Sequence, residues 1–358
     1  MKWAKTSFQF PEAIKLSLVI VCVVFAVWML YQIATFVMSF SKHDKIKVEP
    51  FLAFGNDTEV FFKGRVINAY KQRRPSSRNN WISNIAAAIK RYSGSSVANA
   101  MVEITFQHHS VVVSTDENGV FELHIEDVKP ILGQHEVVTF KVLEPVGKKT
   151  QIAHLEVARY SGNIGVISDI DDTIIISHST EIGKKFWLSI SKNAYTRRPL
   201  PGVSAFYKKI TEDNTLPIFY VSSSDWSLFD LVKDFLRYRH IPEGPILLKD
   251  NHINLRNIWK SGGGDHDHKF KKLEIILKMY PKMRFYLIGD SGQQDPEIYA
   301  RLIDKYPGRI KDVFIRVVGK VDLDRQDKFE NLENFEHFHF IHTSEEAIEI
   351  ATEESIIH

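Results

Sequence analysis

Three rhythms of apolar and polar residues divide the chain. From Leu16 to Phe40, 25 residues pass without a charged side chain and are rich in Val, Ile, Leu and Phe. A bilayer-crossing helix needs roughly 20 such residues. The pattern predicts a tail over 1–15 and a single-pass transmembrane helix over 16–40, hence a membrane localisation. A cleaved signal peptide would show a shorter apolar core and a small-x-small site, which MSFSKHD lacks. Lys2, Lys5 and Lys15 precede the span and Lys42, Lys45 and Lys47 follow it, so the positive-inside rule leaves the side of the soluble part undetermined.

Over 41–160 the period shortens to two. FKGRVI, VEITF, VFELHI and VVTFKVL alternate apolar with polar residues, as half-buried strands do. VEITF (102–106) and VFELHI (120–125) are read as joined through DENG, where Asn118–Gly119 is a strong turn signal. A small β-sandwich-like domain is predicted. Inside it, WISNIAAAIKRY (81–92) sets Trp81, Ile85, Ile89 and Tyr92 along one helical face. That helix either lies on anionic lipid with a basic rim or packs on its own sandwich.

From 161 to 358 the rhythm changes again. Near-continuous apolar strands (GVISDI, PIFYVSS, PILLKD, RFYLIGD, DVFIRVV) alternate with helical stretches. Leu228, Leu231, Val232, Phe235 and Leu236 keep the spacing of a helix covering a sheet. This predicts an α/β fold: a Rossmann-like three-layer domain with a parallel sheet. Ligands of such sheets bind beyond the carboxyl ends of the strands. The unusual polar residues sit there: Asp169, Asp171, Ser222 to Ser224, Asp250 and Asp290.

Composition narrows the picture little. A hydrophobic share of 44% and a charged share of 25% describe a globular chain, and a net charge of +2 gives no argument for a nucleic-acid partner. Residues 60–102 nevertheless hold eight Lys or Arg and no acid. The single cysteine, Cys22, lies in the apolar span, so the remainder has neither disulfide nor thiolate metal site. No protein partner can be inferred.

The chemistry begins at DIDDT (169–173). In an extended segment Asp169 and Asp171 project the same way, and adjacent carboxylates resist joint ionisation unless a cation or proton lies between them. A hard divalent ion with oxygen ligands resolves this, Mg²⁺ being usual where phosphate is handled. Asp290 would reach the same ion from another strand. A carboxylate can attack phosphorus, and its neighbour two residues on can protonate the leaving oxygen and then activate water.

DIDDT, the serine in FYVSSS (219–224), Lys269 and GDSGQQD (289–295) resemble, in order, the four motifs of the haloacid dehalogenase superfamily. More narrowly, ISDIDDT, YVSSSDWSLFDL, HKF and LIGDSGQQDPEIY resemble the actin-patch-type phosphatidate phosphatase family, whose DxDxT domain follows a β-rich region. The resemblance covers residues 160–318 well and the β-rich part loosely. It implies Asp169 as nucleophile and metal ligand, Asp171 as general acid/base with its backbone carbonyl on the metal, and Ser222 as donor to phosphoryl oxygens. Lys269 would neutralise charge on those oxygens, and Asp290 would complete a Mg²⁺ site. Asp225 stands where the family has proline.

Other residues have two readings. Asp172 and Thr173 cap the turn or, for Thr173, touch substrate. Asp295, before Pro296, is an N-cap or a residue of the metal site. Ser223 and Ser224 read as loop. Lys249 rivals Lys269 but lies far from Asp290 in sequence. His266 and His268 lie in a Gly-rich stretch leading to Lys269. HFHFIH (337–342) is a half-buried strand rather than a metal site.

Only 50 residues separate Asp171 from Ser222 and 46 separate Ser222 from Lys269, too few for a large cap domain. VSAFYKKI is expected as the first crossover helix. An open site suits a substrate embedded in a membrane, with Arg197 and Arg198 at a head group. The expectation is a Mg²⁺-dependent phosphatidate phosphatase yielding diacylglycerol and phosphate. Alternatives are a phosphatase for a non-lipid phosphoester and an inactive binding module.

Overall fold

Alternation of buried and exposed side chains builds two small sheets ahead of the parallel one. The computed structural model describes residues 46–68, 96–131, 133–145, 152–176, 198–249, 267–319, 322–332, 335 and 337–357. The expected helix over 16–40, the helical stretch 81–92, Arg197, Asp250 and His266 lie outside the described residues. Among the described residues, no helix is long and apolar enough to cross a membrane.

One sheet runs in the order β5 (Val120–Ile125), β2 (Val60–Asn68), β1 (Ile46–Gly55), β8 (Ala158–Arg159). The other runs β4 (His109–Ser114), β3 (Met101–Phe106), β6 (Val137–Glu144), β7 (Ile152–Glu156), antiparallel throughout. Alternate residues of β3 and β6 are buried, as expected of sheets with one face inward. Val48, Val60, Phe62 and Val66 share one core with Val102, Ile104, Phe106, Val138, Phe140 and Val142.

VEITF and VFELHI, read as joined through DENG, do not pair with each other. Strand β3 pairs with β4 instead, and β5 pairs with β2 in the other sheet. The DENG turn exists, with Gly119 at φ 72° and the Asp116 carboxylate accepting from Asn118 N and Val120 N, but it carries the chain between sheets. Strand β4 is largely exposed: Val111 and Val113 are half-buried and Val112 points out, so its run of three valines carries no alternation by which the sequence could reveal it.

Beyond these sheets the apolar strands pair as six parallel strands. Their order is β11 (Ile246–Lys249), β10 (Ile218–Asp225), β9 (Ile164–Ser168), β12 (Arg284–Asp290), β13 (Ile310–Arg316), β14 (Phe338–Ile341). The chain starts in the middle at β9, winds outward through β10 and β11, then jumps back to β12 and winds the other way. The reversal lies between β9 and β12, where their carboxyl ends part and open a crevice. Among the described residues, six helices accompany the strands: α1 (Val203–Ile210), α2 (Phe229–Tyr238), α3 (Asp267–Met279), α4 (Asp295–Lys305), α5 (Leu323–Glu330) and α6 (Ser344–Glu353). VSAFYKKI is α1, burying Val203, Phe206, Tyr207 and Ile210. The 228–236 pattern is α2 with its preceding turn.

Residues 45–358 form one compact unit. Phe51, Leu52, Phe54 and Phe61 of β1 and β2 enter the same apolar cluster as Ile167, Phe219 and Leu287 of the parallel sheet. Phe51 stacks on Trp226 at 4.4 Å, directly after β10. The Tyr280 hydroxyl donates to Gly55 O at 3.0 Å.

Candidate active site

Strand β9 stops at Ser168, and the next five residues coil rather than extend. Asp169 N donates to Ile288 O of β12 at 2.8 Å. Ile174 and Ile175 both donate to Ile170 O, at 3.0 and 3.1 Å, and Asp172 takes φ 58°. That left-handed conformation is one Asp tolerates better than most residues. The coil corrects the expectation that Asp169 and Asp171 project together. Their carboxylates have different partners.

Asp169, Asp290 and Asp295 form the acidic centre. All three are fully buried, and one oxygen of each lies within 4.8 Å of the others. Lys269, in the first turn of α3, donates its Nζ to Asp169 Oδ1 at 2.7 Å and Asp295 Oδ1 at 2.5 Å. Thr173 Oγ1 donates to Asp169 Oδ2 at 3.2 Å. Asp290, the last residue of β12, accepts at Oδ1 from the backbone of Gly292 (2.8 Å) and Gln293 (3.0 Å), and at Oδ2 from the Gln293 side chain (3.1 Å).

Burying Asp169 and Asp290 beside one ammonium shifts the titration of both. Burial, opposed by Lys269 and reinforced by Asp295 and Asp171, pushes the Asp169 carboxyl up to about 7. Asp290 is raised well above its ordinary value, by burial first and then by Asp295 and Asp169. Burial alone would lower Lys269, yet Asp169 and Asp295 outweigh it and hold the ammonium charged. The centre carries more negative charge than Lys269 neutralises, and its surplus donors are all carboxylate oxygens. That donor set fits a hard divalent cation such as Mg²⁺.

Asp171 turns toward β10. Its Oδ2 accepts from Ser222 Oγ at 3.1 Å and from Ser224 Oγ at 2.5 Å, while Ser224 N donates to Ser222 Oγ at 2.9 Å. The loop expected at Ser224 is strand instead. Ser224 lies inside β10, two residues after Ser222, and so on the same side of the strand. The three-carboxylate centre does not include the Asp171 side chain.

Asp295 is not the N-cap. Gln294 holds that position without a side-chain cap bond, Pro296 occupies the first turn, and the Asp295 carboxylate points inward to Lys269 and Asp290 N (3.2 Å). Gly289 makes room for it: a Cβ there would sit 2.5 Å from Asp295 Oδ2 and 2.9 Å from Tyr299 Cε2. Between the rival lysines, the structure brings Lys269 to the centre and leaves Lys249 at the end of β11, paired in register with Asp225. Arg198 is exposed, its backbone accepting from Ile176 N at 3.2 Å beside the DIDDT turn. HFHFIH contains β14, as expected, although His337 and His339 face carboxylates of neighbouring elements.

Residues 164–317 match the family model described as "Phosphatidate phosphatase APP1, catalytic domain". The phosphatidate phosphatase APP1 of Saccharomyces cerevisiae is 32% identical over 153 residues, 43% of this chain and 26% of that protein. An uncharacterized protein of Schizosaccharomyces pombe is 30% identical over 156 residues, 43% of this chain and 25% of that protein. This chain thus spans about a quarter of the length of the curated relatives it matches. A carbohydrate acetylesterase from Xanthomonas citri aligns over 80% of this chain and 65% of its own at 10% identity and a TM-score of 0.27, too loose a likeness to carry an argument. Over residues 164–317, the chain is similar to the catalytic domain of the APP1 phosphatidate phosphatase.

Proposed function

We propose that the chain is a Mg²⁺-dependent phosphatidate phosphatase. One observation carries the reading: Asp169, Lys269 and the Asp290–Asp295 segment come from three separate stretches and converge at the reversal point of the parallel sheet. A structural ion pair would need one acid for one lysine. Here the acids outnumber the lysine, at a burial that costs free energy unless a cation or phosphate uses the arrangement.

Asp169 attacks phosphorus, forming the O–P bond of an aspartyl-phosphate while the bond from phosphorus to the diacylglycerol oxygen breaks. Asp171 gives that oxygen its proton. Water then attacks the aspartyl-phosphate, Asp171 takes the water's proton, and the Asp169–phosphorus bond breaks to release phosphate. Ser222 and Ser224 hold Asp171 in place for both transfers. Lys269 and Thr173 fix the attacking carboxylate, and Lys269 compensates charge on the phosphoryl oxygens. Asp169, Asp290 and Asp295 would hold Mg²⁺, joined by the Asp171 backbone carbonyl. When bound there, Mg²⁺ supplies the positive charge that keeps these carboxylates ionised and polarises the phosphoryl group.

The short connections around Asp171 and Ser222 support an open site that accepts a lipid in a membrane. Arg198, exposed beside the DIDDT turn, would meet its head group together with Arg197, its neighbour in sequence. The apolar stretch 16–40 would anchor the protein to that membrane. The test is phosphate release from phosphatidate in mixed micelles against soluble phosphoesters, with and without Mg²⁺. Mg²⁺-dependent release from phosphatidate is expected; release from soluble esters alone would overturn the lipid reading, and none from either would overturn the enzyme.

A further inference from the structure

The amino-terminal edge of the parallel sheet, away from Asp169, gathers a second set of ligand-type side chains. Strands β13 and β14 pair with Phe314 beside His339, so Asp312 comes level with His337, two residues earlier on each strand. All four project to one face. A bulge at Lys311 precedes them: Phe285 pairs with Ile310 and Tyr286 with Asp312, leaving Lys311 extra. Bulges of this kind re-aim the side chains beyond them. Glu354, at the end of α6, completes the group.

The distances are those of a coordination shell. His337 Nδ1 lies 3.0 Å from Glu354 Oε2 and 3.3 Å from Asp312 Oδ1; His339 Nε2 lies 3.6 Å from Glu354 Oε1 and 3.8 Å from Asp312 Oδ1. A Zn²⁺ at roughly 2.0–2.1 Å from each donor sets the corners of its tetrahedron about 3.3–3.4 Å apart. The four observed spacings bracket that value. A hydrogen bond to Glu354 accounts for His337. It does not account for His339, whose Nε2 is buried, faces two carboxylates, and has no hydrogen-bond partner.

We propose that Asp312, His337, His339 and Glu354 form a site for a divalent transition metal of the Zn²⁺ type, pinning the end of α6 to the last two strands. Donor chemistry separates it from the centre at Asp169. Two imidazoles and two carboxylates suit Zn²⁺, whereas an all-carboxylate set suits Mg²⁺. A cavity of about 700 Å³, lined by Asp312, His337 and Glu354, gives the ion a path from solvent.

The test is Zn²⁺ binding by the metal-stripped full chain in detergent micelles, with excess Mg²⁺ present and a chromogenic chelator as competitor. One equivalent is expected, retained in Asp290→Asn, weakened by at least about tenfold in His337→Ala, and abolished in His337→Ala/His339→Ala. Co²⁺ in place of Zn²⁺ should give the visible absorption of a tetrahedral site. His337 is half exposed, at 55%, so His337→Ala should melt like the parent without metal. Absence of saturable binding overturns the proposal. So does an affinity that the histidine variants leave unchanged or that Asp290→Asn removes.

Discussion

Asp169 divides its oxygens between Lys269 and Thr173, so Asn in its place keeps the shape and removes the charge that the proposed attack requires. Asp169→Asn should hydrolyse phosphatidate below the detection limit while its circular dichroism and melting stay native-like. Asp171→Asn still fills the pocket under Ser222 and Ser224 but cannot pass a proton. Its kcat should fall about 10²–10⁴-fold with KM nearly unchanged. Gly289→Ala pushes a methyl into Asp295, and titration should show a higher Mg²⁺ requirement, with micelle affinity for the lipid unchanged. Protons compete for the same carboxylates. Because Asp169 is raised to about 7, above its unfolded value, it costs the metal-free fold stability progressively as pH climbs from about 4 to about 7. A cation that restores the ionised form offsets this loss. Melting with and without Mg²⁺ should therefore coincide near pH 5 and separate by pH 8; a gap independent of pH would place the ion elsewhere. Sequence spacing made Asp169, Lys269 and Asp290 legible, since each ends or begins a periodic element. The divergence of Asp171 was not legible, because the strand ends at Ser168 and the chain coils from Asp169 onward, which nothing in the apolar pattern encodes.

Strand β10 shows how an element's length decides a site. Ending it at Ser223 makes Ser224 a loop residue, whereas continuing it to Asp225 puts Ser222 and Ser224 on one side against Asp171. The polar run SSSD conceals that continuation, since no apolar alternation marks it. The turn after β10 is held from outside the parallel sheet. Phe51 of β1 stacks on Trp226 at 4.4 Å and tilts against Phe229 at 5.0 Å. Phe51→Ala should lower the free energy of unfolding by about 3–5 kcal/mol, measured by denaturant titration. Because Trp226 lies two residues from Ser224, the variant should also lose kcat at temperatures where it remains folded. Full kcat with lowered stability would show that the stack supports the fold without tuning Asp171. The parallel strands were legible because burial on both faces leaves continuous apolar runs. The exposed edge strand β4 was not, and with it went the pairing of β3.

At the scale of the molecule, the parallel sheet and the two smaller sheets share apolar surface, and residues 45–358 form one compact unit. Asp169, Asp171, Lys269, Asp290 and Asp295 all lie inside that unit. The chemistry and the membrane attachment proposed for residues 16–40 are therefore separable by deletion. A chain lacking residues 1–44 keeps every described contact at the Asp169 centre, so it should melt at the parent's temperature and hydrolyse phosphatidate in detergent mixed micelles at the parent's rate. The two should part on bilayers. In a micelle the substrate reaches the site by collision, whereas in a vesicle an enzyme without an anchor must first bind the surface from solution. Anchoring raises the local concentration of enzyme at its substrate without adding a contact, by the same reasoning as any tethered second binding event. Reconstituted into phosphatidate-containing vesicles, the full chain should therefore turn over faster than the truncated chain added from outside, by about 10²-fold or more. The gap should shrink as the bulk lipid concentration rises and surface binding saturates. Equal rates on dilute vesicles would mean that the stretch 16–40 contributes nothing to substrate access. Lower rates for the truncated chain on micelles as well would mean that residues 1–44 support the site itself.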